Sequence, residues 1–138
     1  MWVTHLGCIK GCLEYLGVKI SSEWLYGGTG HAFILNISKD LCPSGPTAWN
    51  TEILFKLGKN LGYRINGVTS YKKDKDFREK QEKAYELVKD SINKGYPCYG
   101  WELDIPEYYA IYGYDDEGYL YTGVKKGHKK WWEQESQT

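Results

Sequence analysis

One thiol and two imidazoles have the types and spacing that suit covalent chemistry in this sequence, namely Cys8, His5 and His31. A thiol near a helix N-terminus ionises more readily, and an imidazole within hydrogen-bond reach can take its proton. Cys8 falls in the first turn of a predicted helix, His5 precedes it by one turn, and His31 follows the sequence GGTG. The catalytic hypothesis is therefore Cys8 as nucleophile with His31 or His5 as base. For each histidine the alternative is a structural ring that is hydrogen-bonded to backbone.

Rings and carboxylates are concentrated in one short segment, residues 101–109. The chain has 13 Tyr and 6 Trp against 3 Phe, so nearly every aromatic ring carries a polar group and suits a half-wet ligand cleft. Strand alternation sends Glu107 and Tyr109 to one face, which we expect to bind a ligand that carries amines or several hydroxyls. The candidate ligand-binding residues are Thr29, His31, Trp101, Glu102, Glu107 and Tyr109. Acidic edge strands that only maintain solubility are the alternative.

Metal and cofactor sites are not expected. Cys8 and Cys12 lie four residues apart on the predicted helix and form a formal zinc set with His5 or His31, but no second closely spaced ligand pair follows. The sequence GGTGH lacks the spacing of a phosphate-binding loop. At Cys42, which precedes a predicted helix start, a capped loop is favoured over an anion site. We therefore predict no metal ligand and no cofactor.

Length and charge favour one globular domain. A chain of 138 residues supports a single core, and a net charge of zero provides no field that would attract nucleic acid. The basic and aromatic sequence at 125–132 is explained more simply as a frayed, solvated tail than as a phosphate contact. The prediction is a domain over 1–124 and a tail over 125–138. Its expected partner is a small-molecule ligand rather than nucleic acid, and homo-oligomer formation is left open.

The sequence carries no feature of export or membrane insertion. No apolar stretch approaches the ~20 residues of a membrane span, and the first residues lack the pattern of a signal peptide. We therefore expect a cytoplasmic protein without a membrane partner. Its four cysteines are then expected to be free thiols.

Apolar residues three and four apart predict helices, and apolar runs predict strands. The predicted helices are 4–16 with Thr4 as cap and Gly17 as stop, a short turn from Ser21 or Ser22, 47–61 with Thr47 as cap and Gly62 as stop, and 76–93 closed by Gly95. The predicted strands are HAFILNI, covered on both faces, then YRINGV, YPCYGWEL, EYYAIYGY and GYLYTG. Between the last two, the hairpin sequence DDEG places Asp116 and Gly118 where special φ values are expected. Segregated helices and strands indicate an α+β fold.

A set of loose motifs resembles a known group of proteins. The first helix runs to YLG, the pattern S-x-E-W-L-x-G follows, and a late hairpin contains GYDDEG. Over Thr4–Gly123 the sequence resembles the peptidase C39-like and butirosin-biosynthesis H N-terminal-like families. Their papain-like (cysteine-peptidase-like) fold implies N-terminal helices packed on a mostly antiparallel sheet.

The resemblance also implies positions for two catalytic residues. In such folds a nucleophilic Cys begins the first helix, and a His base stands at the head of the strand that runs into GYDD. Cys8 matches the first position approximately, although the usual register puts Thr4 there, and Glu107 stands where the His is expected. A carboxylate cannot act as the neutral base that then carries a stabilising positive charge.

Two function classes follow from these observations. The first is a small-molecule binding protein on a degenerate cysteine-peptidase-like scaffold, with an aromatic and acidic cleft for an amine-, sugar- or nucleotide-like ligand. The alternative is a cysteine-dependent acyltransferase or amide hydrolase that uses Cys8 with His31 or His5. A short distance between the Cys8 sulfur and an imidazole nitrogen would favour the enzyme.

Overall fold

The computed structural model describes residues 3–37, 39–40, 50–134 and 136–137, and it divides the chain into two units. Unit 1 comprises residues 1–19 and 67–138, and unit 2 comprises residues 20–66. The predictions for Cys42 and Thr47 lie outside the described residues.

The fold is mixed α+β, as the sequence predicts. The helices are α1 (Thr4–Tyr15), α2 (Ser22–Gly28), α3 (Thr51–Leu57) and α4 (Phe77–Asn93), with 3₁₀ segments at Gly58–Leu61 and Trp131–Glu133. The strands are β1 (Ser70–Tyr71), β2 (Cys98–Trp101), β3 (Tyr108–Tyr114), β4 (Gly118–Thr122), β5 (Gly127–Lys130) and β6 (Ser136–Gln137).

Unit 1 is built on an antiparallel meander of strand order β2-β3-β4-β5, and β1 pairs separately with β6. The register pairs Gly100 with Tyr109 and Ala110 with Thr122, and it shifts between Ile111 and Gly113. Consecutive strands joined by short loops form such a meander without crossovers. The three late strands predicted from the sequence, YPCYGWEL, EYYAIYGY and GYLYTG, imply the same arrangement.

One hydrophobic cluster of unit 1 lies between α4 and one face of the sheet. Its buried members are Tyr85, Leu103, Tyr109, Ile111, Tyr119 and Tyr121. The Tyr85 ring meets the edge of Tyr119 at 5.5 Å and stacks on Trp131 at 5.6 Å between ring centroids. On the opposite face, His5 of α1 stacks on Tyr108 at 3.9 Å. The sheet of unit 1 is therefore contacted by helices from both sides.

The first helix begins differently from the prediction. Val3 occupies the N-cap position, but its side chain makes no capping hydrogen bond. Thr4 is the first helical residue. The Thr4 hydroxyl bonds to Glu107 instead of the free helix amides. The predicted stop is confirmed, because Gly17 takes φ of +80°, a conformation that costs a residue with a Cβ free energy.

The basic segment near the C-terminus is not a frayed tail. Residues Gly127–Lys130 pair with β4 along a full antiparallel register, so the boundary predicted at residue 124 falls inside unit 1. Beyond them the Gln134 side chain donates to the Trp101 carbonyl, and Gln81 of α4 donates to the Gln134 carbonyl at 2.6 Å. The prediction of a frayed tail was wrong because this strand is only four residues long and its lysines interrupt the apolar pattern that predicts a strand.

In unit 2 the helices are capped by side chains and the predicted strands are missing. Ser21 accepts from the Trp24 amide at the start of α2, and Asn50 accepts from two amides of α3. HAFILNI forms turns and irregular backbone among the described residues, with Phe33 81% and Leu35 75% exposed, and YRINGV is also irregular. An apolar run becomes a buried strand only when other strands pair with it, and the described part of unit 2 contains none.

Candidate ligand-binding site

A cavity of about 540 Å³ opens between α1 and the sheet of unit 1. Its helix wall is made by Thr4, Gly7, Cys8, Gly11, Cys12 and Tyr15, which follow one another at alternating intervals of three residues and one residue along one side of α1. This spacing follows the helical repeat, so a single face of α1 supplies the wall. The small side chains on that face leave room between helix and sheet.

The facing wall comes from the end of α4, from β2 and β3 and from the residues after β4. It consists of Ile92, Gly95, Tyr96, Pro97, Cys98, Tyr108, Ala110, Ile111, Tyr112, Thr122, Gly123 and Val124. No Lys, Arg, Asp, Glu or His is among these lining residues. The cavity is within the size range of small-molecule sites, and its wall suits an apolar body with few polar groups.

Three thiols of the cavity wall are protonated at neutral pH. Burial, with a smaller effect of the Cys12 sulfur, raises the pKa of the Cys8 thiol to about 12. Burial likewise raises the pKa of Cys12 to about 12, and it raises the pKa of Cys98. Here the free-energy cost of dehydrating a thiolate exceeds the stabilisation that the field of the helix N-terminus provides. Nucleophilic action by Cys8 stays a prediction, and this burial weighs against it.

At one end of the cavity the Thr4 hydroxyl joins two parts of the chain that are far apart in sequence. Its Oγ1 donates a hydrogen bond to Glu107 Oε2 and accepts one from the Tyr108 backbone N–H at 3.3 Å. These contacts hold the start of α1 against the start of β3. They also join the two positions that the family resemblance matches to nucleophile and base.

A tight loop presents Glu107 to Thr4. Glu102 has φ of 58°, the one positive φ among the described non-glycine residues, and its backbone N–H donates to the Glu107 carbonyl at 2.8 Å. A residue with a Cβ adopts this conformation at a cost in free energy, so the surrounding contacts must hold the loop. Glu102 therefore acts through backbone geometry in this loop.

His5 lies beside this end of the cavity rather than in its wall. It is buried, its Nε2 is 2.9 Å from the Tyr99 hydroxyl, and its ring is nearly parallel to that of Tyr108. These contacts fix the Tyr108 ring, whose own residue lines the cavity. The geometry gives His5 a positioning role for Tyr108.

The aromatic candidates divide between the two faces of the sheet. Tyr109 is fully buried in the core, and its hydroxyl accepts from the Ile105 amide at 3.3 Å. Trp101 ends β2 with its ring 4.8 Å from that of Tyr108. Tyr108 thus lines the cavity, whereas the sequence analysis favoured the face of Tyr109. Strand alternation alone does not say which face of the strand packs against α1.

Thr29 and His31 belong to unit 2. The fully buried Thr29 hydroxyl donates to the Leu25 carbonyl at 2.6 Å, so it can only accept from His31 Nδ1, which lies 3.1 Å away. This geometry places the proton of the neutral imidazole on Nδ1. Burial is the main cause that lowers the pKa of His31 to about 4, so the ring is neutral at physiological pH.

Neither metal coordination nor membrane crossing finds support in the described ranges. Within them, no three His, Cys, Asp or Glu side chains lie together in a way that could hold a metal ion. None of the helices there has the length and apolar character needed to cross a membrane.

Comparison with known proteins adds no family to this geometry. No family model and no curated protein matches the chain. The papain-like resemblance accordingly remains a proposal that depends on this chain's own residues.

Sequence reasoning missed most of the cavity wall, although one signal was present. Thr4 was interpreted as a cap and Cys12 was considered as part of a formal zinc set, and Gly11 and Tyr15 were not singled out. All four lie on the side of α1 away from its buried Leu6 face, where small residues recur. A second stripe of small residues on a helix indicates close packing or a cavity, and only the structure distinguishes them.

Proposed function

We propose that this chain is a small-molecule binding protein whose ligand occupies the cavity between α1 and the sheet. The observation that carries the proposal is the cavity itself, which has a volume typical of ligand sites and a wall of phenols, thiols and aliphatic groups. An apolar ligand body would replace water there and gain free energy in proportion to the area buried.

We also propose that the scaffold is papain-like and has lost its catalytic pair. Support comes from the hydrogen bond between Thr4 and Glu107, the residues at the positions of nucleophile and base in the usual register. A carboxylate is a weaker base than an imidazole toward the proton of an alcohol, so this pair suits ligand contact better than nucleophilic attack.

Gly11 offers a test by filling the cavity. A Cβ added there meets no heavy atom within 4 Å, so a larger side chain can extend into open space along the wall. With the neutral fluorescent probe N-phenyl-1-naphthylamine, we expect Gly11→Phe to weaken binding at least about tenfold, since the ring occupies the ligand's volume.

The matched control is Gly11→Ala, which adds one methyl group and stabilises the helix by roughly 0.5–1 kcal/mol. It should bind the probe as the wild type does. Equal binding by all three proteins, with circular dichroism showing that each is folded, would move the ligand site away from α1.

A further inference from the structure

The hydrogen bonds of Thr4 determine what its hydroxyl can offer to a ligand. A threonine hydroxyl has one proton and two lone pairs. The proton is donated to Glu107, and one lone pair accepts from the Tyr108 N–H. The remaining lone pair can only accept, so Thr4, which lines the cavity, favours a ligand group that donates a hydrogen bond.

The charge at this end of the cavity also favours a ligand group that donates a hydrogen bond, in particular a cation. The lining residues carry no formal charge, and one of them, Thr4, is hydrogen-bonded to the carboxylate of Glu107. None of the ion pairs between described residues involves Glu107. A ligand cation placed against Thr4 would therefore meet a negative charge that no Lys or Arg of the described residues neutralises by direct contact.

The other end of the same wall has the opposite polarity. The Lys126 ammonium lies 5.2 Å from the ring centroid of Tyr112, which lines the cavity four residues beyond Tyr108 on β3. Four strand residues span about 13 Å. A ligand lying along β3 would thus have the Glu107 carboxylate of the protein near one end and the Lys126 ammonium near the other. These two protein charges would set the direction in which a charged ligand binds.

We propose that the cavity selects a primary amine with an apolar body, the ammonium group bound at Thr4 and Glu107 and the body along β3 toward Tyr112. This inference rests on the proposed binding function and adds the class of ligand. A charge-assisted hydrogen bond in a partly dehydrated site is stronger than a neutral one, which gives an amine its advantage over an alcohol of the same shape.

Decylamine, decan-1-ol and decanoate share one apolar chain and differ in the head group, so calorimetric titration of the three at pH 7 isolates the head-group preference. In the wild type we expect the amine to bind about tenfold more tightly than the alcohol, whereas decanoate should gain no affinity from Glu107. Glu107→Gln keeps an oxygen for the Thr4 hydroxyl and removes the charge. It should abolish the preference for the amine over decan-1-ol.

Glu117→Gln is the matched control, because Glu117 pairs with Lys130 on the β3–β4 turn and removing its charge changes the net charge equally. This variant should keep the wild-type order. If amine and alcohol bind equally in the wild type, or if Glu107→Gln retains the amine preference, the inference is overturned and the binding function stands. If none of the three compounds binds, the proposed function fails together with the inference.

Discussion

Burial controls the chemistry of the thiols in the cavity wall. Cys8 and Cys12 lie on the helix face toward the cavity, and Cys98 lies opposite them at the start of β2. Each has a raised pKa because a thiolate in this surrounding loses more hydration than the nearby amides restore. At neutral pH these groups are protonated, weakly polar parts of the wall.

Alkylation rates test this view of Cys8. Because the thiolate is the reactive form, iodoacetamide should label Cys8 at pH 7.5 at least about tenfold more slowly than a free cysteine, and no faster than Cys98. The rate should keep rising with pH above 9, toward the raised pKa of about 12. Peptide mass spectrometry of timed samples gives the rates, and protein unfolded in urea is the control. Labelling of folded Cys8 at or above the free-thiol rate would restore the nucleophile hypothesis.

The contact between Thr4 and Glu107 shows what could not be predicted at this scale. The sequence identified Glu107 as a ligand-contacting carboxylate and matched both residues to family positions. Their hydrogen bond joins residues 103 positions apart, and no local pattern fixes such a distance. Alternation correctly put Tyr108 and Tyr109 on opposite faces, but the choice of face depends on where α1 packs.

At the scale of elements, the β4–β5 pair depends on one close approach of backbone. A Cβ at Gly118 would lie 2.0 Å from the Lys129 carbonyl oxygen, whereas the φ of Gly118 is not in the left-handed region. The hairpin turn before it is closed by the Asp115 side chain, which accepts from the Glu117 and Gly118 amides. Gly118 is therefore needed for space, and the prediction that Asp116 and Gly118 require special φ values was wrong.

Gly118→Ala should separate β4 from β5 and lower the free energy of unfolding by about 1–3 kcal/mol, as overpacking against fixed backbone does. Urea unfolding followed by circular dichroism measures the change. Gly113→Ala is the control, since its Cβ would meet the Leu120 side chain, at 3.2 Å from its terminal methyl group, and not backbone. A Gly118→Ala protein as stable as the control would mean that β5 does not pair as described.

Elements with strong local signals were predicted well, and those that need distant partners were not. The amphipathic pattern and Gly95 gave α4 within one residue at its start and at its end. The three late strands were found because each alternates around a clear turn signal. The prediction of a strand at HAFILNI was wrong because an apolar run forms a strand only where a neighbouring strand pairs with it. The described residues of unit 2 contain no strand.

At the scale of the whole molecule, function is proposed for unit 1, which contains the cavity and every residue that lines it. Composition pointed to an aromatic cleft, and tyrosines do line the cavity. The expected acidic character is limited to one end, where Glu107 accepts a hydrogen bond from the lining residue Thr4, since no carboxylate is among the lining residues themselves. The cavity arises from the packing of α1 on strands that begin more than 80 residues later, which no single-sequence pattern reports.

The central claim is that a ligand occupies the space between α1 and the sheet, and isotope-filtered NMR tests it most directly. In ¹³C-labelled protein with unlabelled N-phenyl-1-naphthylamine, we expect intermolecular NOEs from the probe's ring protons to the methyl groups of Ala110, Ile92 and Val124. The core methyls of Leu103 should show none. NOEs confined to the exposed apolar residues Phe33 and Leu35, with none to the cavity methyls, would contradict the account.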